Sequence, residues 1–327
     1  MPAVSVILPT LTRLDFLRRA VASVLAQTYE DFEIVVVVDG PSPDVAAFVS
    51  SHPDPRVRLV QRERNGGVAA ARNSGLEAAH GRYVALLDDD DIWLPEKLAR
   101  QVPLLDAGAD VVHSLVYVAD GDGSVYDAPT QRGFRLFREV AAAGYPYVWL
   151  LRRSSYQIGT FVIRRRCLDE VGGFDAELAP MDDLDLVHRL SRRFPLTLVD
   201  EPLSKWCIHG ANWSNAMNPD GWKRLARKEL EWTRAADPPA RRAIDAYLHM
   251  QIAQSEWIAG RSRAAVVPAL RAWVLDPSVI DVRTLRKYVV AALLPSWIVR
   301  RMRVRARVAR AGGEPDPWLD LPAPLPE

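Results

Sequence analysis

Two predominantly apolar runs, over residues 4–8 and 32–38, open the chain, and between them Leu14, Leu17, Val21, Val24 and Leu25 recur at three- and four-residue intervals. A run with no polar alternation needs cover on both faces, the condition of a strand inside a parallel sheet. A helix-period stripe between two such strands is the crossover a parallel pair requires. Thr12 and Asp15 stand three apart where that helix begins, the spacing of a capping box. The alternation continues with a short helix over 44–51, a strand over 57–61, a helix over 67–79 and a strand over 83–87. A helix over 95–105 follows, with Pro95 in its first turn, and then a strand over 111–118. This order specifies an α/β fold with an open, mainly parallel sheet, and such sheets receive ligands at the carboxyl ends of their strands.

Turn residues cluster over 121–144, where loops are expected above that edge. A short strand over 159–163, the segment Gly172-Gly173-Phe174-Asp175 and a helix through 184–190 complete the region. Beyond about residue 218 the pattern becomes helical, over 222–235, 241–259, 264–273 and 279–294. The expected organisation is a catalytic α/β domain over 1–216, a helical accessory region over 217–282, basic amphipathic helices over 283–312 and a proline-rich tail without fixed structure over 313–327.

The 42 Lys and Arg against 41 Asp and Glu leave a net charge of +1, so no electrostatic footprint calls for nucleic acid. Cys167 and Cys207 are the only cysteines and form no C-x-x-C pair, which excludes a disulfide framework or thiolate zinc site and fits a reducing compartment. The opening residues carry no charged leader before an apolar run, and no apolar stretch nears the ~20 residues of a bilayer span, so a cytoplasmic location is expected.

The polar residues that follow strands hold the chemistry. Asp88-Asp89-Asp90-Asp91 comes directly after the strand over 83–87, and four adjacent carboxylates repel unless a cation or solvent relieves them. Hard oxygen donors of this kind suit Mg2+ or Mn2+, which commonly joins one or two carboxylates to substrate phosphates. The plain alternative is a solvated turn with one Asp capping the next helix. Asp39 follows the second strand and precedes Gly40, where it can accept a hydrogen bond from a base imide or a ribose hydroxyl, or simply form the turn. Arg72 sits near a helix start after Gly66-Gly67, placed to meet phosphate or base, or to lie on the surface. Asp182-Asp183-Leu184-Asp185 opens a helix, which is ordinary dipole chemistry.

Taken in order, Ser5-Val6-Ile7-Leu8-Pro9-Thr10, Ser23 through Tyr29, Glu33 to Gly40, Ala71-Arg72-Asn73-x-Gly75, Leu87 to Asp91 and Gly172 to Asp175 resemble the family 2 glycosyltransferases, inverting enzymes with the GT-A nucleotide-sugar fold. The resemblance covers about residues 3–215. It implies that Pro9, Thr10, Asp39, Arg72, Asp88 and Asp89 bind the donor, with Asp39 at the base and Asp88 toward ribose or a metal-bound water. Asp90 and His209 would hold the Mg2+ or Mn2+ ion, and Asp183 would be the general base. The donor is expected to be a nucleoside-diphosphate sugar, with UDP- or dTDP-sugars favoured, and the acceptor a hydroxyl of a glycan or lipid-linked intermediate in bacterial surface-glycan assembly. The chain departs from the family at Leu11-Thr12, where an aromatic platform usually stands, at Val38, which replaces an acid, and at Asp182, which replaces a Glu. A soluble natural-product or peptide acceptor, or an inactive scaffold keeping the fold, are the competing readings. Trp149, Trp206 and Trp213 could stack on a sugar, although core packing is the commoner fate.

Charge is segregated despite the balanced total. Residues 283–310 contain nine Lys or Arg and no acid, which leaves 33 basic against 41 acidic side chains elsewhere. Arg300, Arg303, Arg307 and Arg310 share one helical face, with Trp297 nearby, an arrangement suited to an anionic membrane surface or to a solvated face of a packed helix.

Overall fold

The computed structural model describes residues 1–125, 157–209, 219–232, 238–277, 280 and 282–294. It divides into two compact units: residues 1–216 with 227–229, and residues 217–226 with the chain from 230 onward. The expected boundary at 216 thus has an exception, because three residues of one helix belong to the first unit.

In the first unit β1 (Val4–Thr10), α1 (Leu14–Leu25), β2 (Phe32–Val38), α2 (Pro43–Ser50), β3 (Val57–Gln61), α3 (Val68–Ala78) and β4 (Tyr83–Leu86) form the expected alternation of strand and helix. Then come β5 (Ile92–Trp93), α4 (Lys97–Asp106), β6 (Val111–Asp120), β7 (Val162–Arg164), α5 (Arg165–Val171), α6 (Asp182–Arg193) and β8 (Leu196–Ile208). The eight strands lie in the order β3-β2-β1-β4-β7-β6-β8-β5. β1 runs parallel to β2 and β4, β7 is antiparallel to both of its neighbours, and β6 runs parallel to β8. The carboxyl ends of β1, β2, β4, β6 and β8 therefore share one edge of the sheet.

Every residue of β1 and β2 is buried, and Ser5 of β1 is paired with Glu33 of β2, Ser5 Oγ donating to Glu33 Oε1 at 2.7 Å. One face of the sheet packs on Leu17, Val21 and Val24 of α1 and Leu98 and Val102 of α4. The other packs on Ala69 and Ala71 of α3 and Leu186, Val187 and Leu190 of α6. Gly75 makes the approach of α3 possible, since a Cβ there would lie 2.4 Å from Cγ2 of Ile7.

Several local expectations are corrected. Arg13 is the N-cap of α1 and no side chain caps that helix, so the Thr12/Asp15 capping box does not form. Pro95 precedes α4 instead of entering its first turn, and no Asp of the acidic run caps it. The strand expected over 159–163 is a 3-10 turn over Ile158–Thr160 followed by β7. β5, α5 and the thirteen residues of β8 were not foreseen.

The second unit is helical: α7 (Pro219–Trp232), α8 (Pro238–Ile258), α9 (Ser262–Leu275) and α10 (Val282–Leu293). Ala253, Ala265, Ala269 and Ala272 allow close helix contact, and Trp257 meets Tyr288 edge-on at 5.5 Å. No described helix is long and apolar enough to cross a membrane. The greater part of the loop expected over 121–144, Trp149, Trp213, the basic face from Arg300 to Arg310 and the tail over 313–327 lie outside the described residues.

Candidate active site

The site begins with the turn after β4. Asp88 is its most open member, whereas Asp89, Asp90 and Asp91 are buried. Burying three neighbouring carboxylates is costly unless each finds donors. The chain supplies them from three directions.

Arg13, three residues past the end of β1, sends Nη1 to Asp90 Oδ2 at 2.7 Å and forms a second ion pair through Nη2 with Asp89. Thr10 Oγ1 donates to Asp89 Oδ2 at 2.7 Å. Asp89 is therefore turned inward on the end of β1, and burial still pushes its pKa up to about 6. Pro9 lies within β1 beside Val37 of β2, and fixes the strand that carries Thr10.

From the far strand, Cys207 N donates to Asp91 Oδ1 at 2.9 Å, and Gln157 Nε2 donates to Oδ2 of the same carboxyl. Desolvation raises Asp91 well above the usual carboxylate range. His209, immediately past β8, places Nε2 3.1 Å from Asp90 Oδ2 and stacks its ring on Phe16 with centroids 4.6 Å apart.

The third direction is α3. Arg72, only 4% exposed, holds Asp88 Oδ1 at 2.7 Å with Nη2 and Asp182 Oδ2 at 2.9 Å with Nη1, and it lies 5.2 Å from the ring centroid of Phe174. Next to it, Asn73 Nδ2 donates to Phe174 O and Asn73 Oδ1 accepts from Phe174 N, both at 2.8 Å. The Arg72-Asn73 pair thereby docks the Gly172–Asp175 segment and brings the start of α6 to the acidic turn. One guanidinium joins the carboxylates on either side, so Asp88 and the Asp182-Asp183 pair share one site.

Asp183 accepts a hydrogen bond from Leu184 N at 2.7 Å and keeps part of its surface open. Crowding by protein atoms, and then the charge of Asp182, raise its pKa to about 7, against the lowering effect of Arg72. A carboxyl titrating near neutrality suits proton abstraction.

Asp39 stands at the carboxyl end of β2. Gly66 N and Gly67 N donate to its two oxygens at 3.0 and 2.8 Å, and Arg62 Nε pairs with Oδ1 at 2.9 Å. Gly67 has φ of +84°, a conformation that favours glycine, so the loop can curl over the carboxylate. Asp39 thus ties the end of β2 to the loop that follows β3.

Asp90 Oδ2 and His209 Nε2 are the two converging donors that fit a divalent ion. Among the described residues no three acidic, His or Cys side chains close on a single point. Two protein donors completed by phosphate oxygens and water is nonetheless a usual arrangement for Mg2+. The sequence reading missed Arg13 and Gln157. Arg13 could have been found by its place just past the carboxyl end of β1; Gln157 is brought in by long-range packing alone. Trp206 is half-buried within β8.

Residues 5–172, just over half of the chain, match the family model described as Glycosyl transferase family 2. The succinoglycan biosynthesis protein ExoO of Rhizobium meliloti (strain 1021) is 35% identical over 180 residues, 52% of this chain and 49% of that protein. The putative colanic acid biosynthesis glycosyl transferase WcaA of Escherichia coli (strain K12) is 30% identical over 201 residues, 58% of this chain and 66% of that one. The chain therefore spans about half the length of the first of these relatives and about two thirds of the second. Among solved structures, S. aureus TarS 1-349 superposes with a TM-score of 0.56 at 16% identity, over 85% of this chain and 90% of that one. A mannosyltransferase of Pyrobaculum calidifontis, solved with GDP-Man and Mn2+, gives 0.57 at 20% identity, over 89% and 86%. Likenesses of this kind carry the fold, the GT-A arrangement implied by the motifs. With its family model matched from the first strand to the turn before Phe174, the chain belongs to glycosyl transferase family 2.

Proposed function

We propose that the chain transfers a sugar from a nucleoside-diphosphate sugar to a hydroxyl acceptor with inversion, using Asp183 as general base. The observation that supports this most is the Arg72 bridge, which joins the acidic turn at Asp88 to Asp182 beside a carboxyl whose pKa is about 7. A base poised there can take the acceptor proton as the oxygen attacks the anomeric carbon, while the sugar bond to the diphosphate breaks on the opposite face. Such proton transfer is typically worth ~10²–10⁴ in rate.

At the other end of the cleft, Asp39 with Gly66 and Gly67 would receive the base. Its remaining acceptor capacity suits the imide of uracil or thymine, or a ribose hydroxyl, hence the preference for UDP- or dTDP-sugars. Asp88 faces the ribose, and Thr10 with Asp89 fixes the wall beside the phosphates. Asp90 and His209 would hold Mg2+ or Mn2+, which when bound supplies Lewis-acid stabilisation of the departing diphosphate.

A glycan or lipid-linked acceptor in surface-polysaccharide assembly is supported by the similarity to ExoO and WcaA, named for succinoglycan and colanic acid biosynthesis. Peripheral contact with an anionic membrane is supported by the basic run over 283–310. The exposed Val267, Leu270 and Val274, on one face of α9, add an apolar edge in the same unit. A panel of nucleotide sugars, screened by thermal shift with and without Mn2+ and followed by product analysis with polyprenyl-linked acceptors, tests the reading. Stabilisation by no nucleotide sugar under either condition would count against it.

A further inference from the structure

We infer that Arg13 is a built-in counter-ion for the divalent-cation position, and that it leaves Asp90 when the ion and a diphosphate enter together. The inference rests on the reading above that Asp90 and His209 hold the ion. A single oxygen, Asp90 Oδ2, is contacted by both Arg13 Nη1 at 2.7 Å and His209 Nε2 at 3.1 Å. An ion bound between Asp90 and His209 must break the first contact and open the second.

Arg13 is placed to move. Its side chain is 34% exposed, compared with 4% for Arg72, the guanidinium on Asp88. It projects from the N-cap of α1, lies 5.7 Å from the ring centroid of Phe16, and keeps a separate hold on Asp89 through Nε and Nη2. Nη1 can therefore let go of Asp90 while the rest of the fork stays on Asp89. A freed guanidinium N–H at the mouth of the cleft matches the oxygens of a diphosphate, which a fork-shaped cation binds well.

Two consequences follow. In the wild-type chain the ion alone must displace a charge-assisted hydrogen bond before it binds, so Mn2+ by itself binds weakly. A nucleoside diphosphate relieves that cost by accepting the displaced Nη1, so Mn2+ and the nucleotide strengthen each other. Arg72 cannot play this part, because its two terminal nitrogens are committed to Asp88 and Asp182.

The test measures Mn2+ binding to the full chain by calorimetry, with Mn2+ alone and with UDP or GDP present. The expected result is that Arg13→Gln binds Mn2+ alone at least about tenfold more tightly than wild type, and that the gain conferred by the nucleotide shrinks. Arg13→Lys, which keeps the charge and loses the fork, should fall between them. Arg18→Gln removes an equal charge from α1, where Arg18 lies over the Phe48 ring and contacts no Asp90 oxygen, so it should stay near wild type. If Mn2+ binds wild type with nucleotide and is lost in Asp90→Asn, yet Arg13→Gln binds Mn2+ alone no better than wild type, the counter-ion role is refuted and the ion site stands. An equal effect of Arg18→Gln also refutes it, by reducing Arg13 to general electrostatics. If Mn2+ binds no variant under any condition, or binds Asp90→Asn as well as wild type, the ion site itself is wrong and the inference falls with it.

Discussion

Replacing Asp183 by Asn should make the protein more stable at neutral pH while removing its activity. The carboxyl titrates near 3.8 in an unfolded chain and at about 7 in the native site. Between those values the native state binds more protons than the unfolded state, so stability falls as pH rises through the window. The full difference corresponds to ~4 kcal/mol at 1.36 kcal/mol per pH unit, and the open side of the group reduces this to ~1–2 kcal/mol through solvent screening. Asn presents the same acceptor to Leu184 N and carries no charge, so the variant avoids the cost of ionising at pH ~8. Urea unfolding of both proteins across pH ~4 to ~8 should show a gain that grows toward the alkaline end and vanishes at the acid end. Transfer should fall by ~10²–10⁴ with donor affinity preserved. A variant no more stable than its parent at pH ~8, or one with a gain independent of pH, would refute the electrostatic account of this residue. Retained turnover would refute its role as base.

Arg72→Met should destabilise the chain by ~3–5 kcal/mol, because Asp182 is left buried without its cation, and it should move the acid limb of the pH–rate profile upward, since Arg72 lowers the pKa of Asp183; urea unfolding and kcat/KM against pH check the two effects. Gly75→Ala should cost ~1–3 kcal/mol by overpacking against Ile7, read as a lower melting temperature with unchanged secondary structure. Lys97 is fully buried and its pKa is pushed well below 10.5 by desolvation, so wild-type stability should rise as pH climbs toward 10.5; Lys97→Met should remove that rise, as measured by melting temperature against pH.

The parallel half of the fold was legible because its signal is local. The strands from Val4 and Phe32 are predominantly apolar runs, and α1 carries its stripe at helical spacing, so each element announces itself within a dozen residues. β8 gave no such signal: Asp200-Glu201-Pro202 interrupts it, and it exists because β6 offers a long parallel partner. β5 is two residues long and is held by pairing with Lys205 and Ser204. In the site, positions after strands were readable, because a sheet of this kind puts Asp39, Asp88 and His209 on one edge. What the side chains do there was not. Arg72 read as a donor contact, yet its fork is engaged by two carboxylates 94 residues apart in the chain, and only the folded chain brings Asp182 to it. Asp89 likewise read as a donor contact, while Thr10 and Arg13 hold it inward.

The unequal treatment of Asp182 and Asp183 explains how one helix start can both anchor and react. A carboxylate in the first turn of a helix gains ~0.3–1 kcal/mol from the dipole, less than one pH unit. That effect should keep Asp183 acidic, and it loses to crowding and to the neighbouring charge of Asp182. Arg72 could have reversed the outcome, but it places Nη1 on Asp182 and Nη2 on Asp88. Asp182 therefore takes the cation and fixes the helix, and Asp183 is left with a backbone N–H and a raised proton affinity, two carboxyls set apart by environment. The family's usual Glu would carry one more methylene at 182. Asp182→Glu should then push the guanidinium toward Asp183, lowering the pKa of the base and extending activity to lower pH. A pH–rate profile unchanged in its acid limb would show that the Arg72 bridge does not set the base.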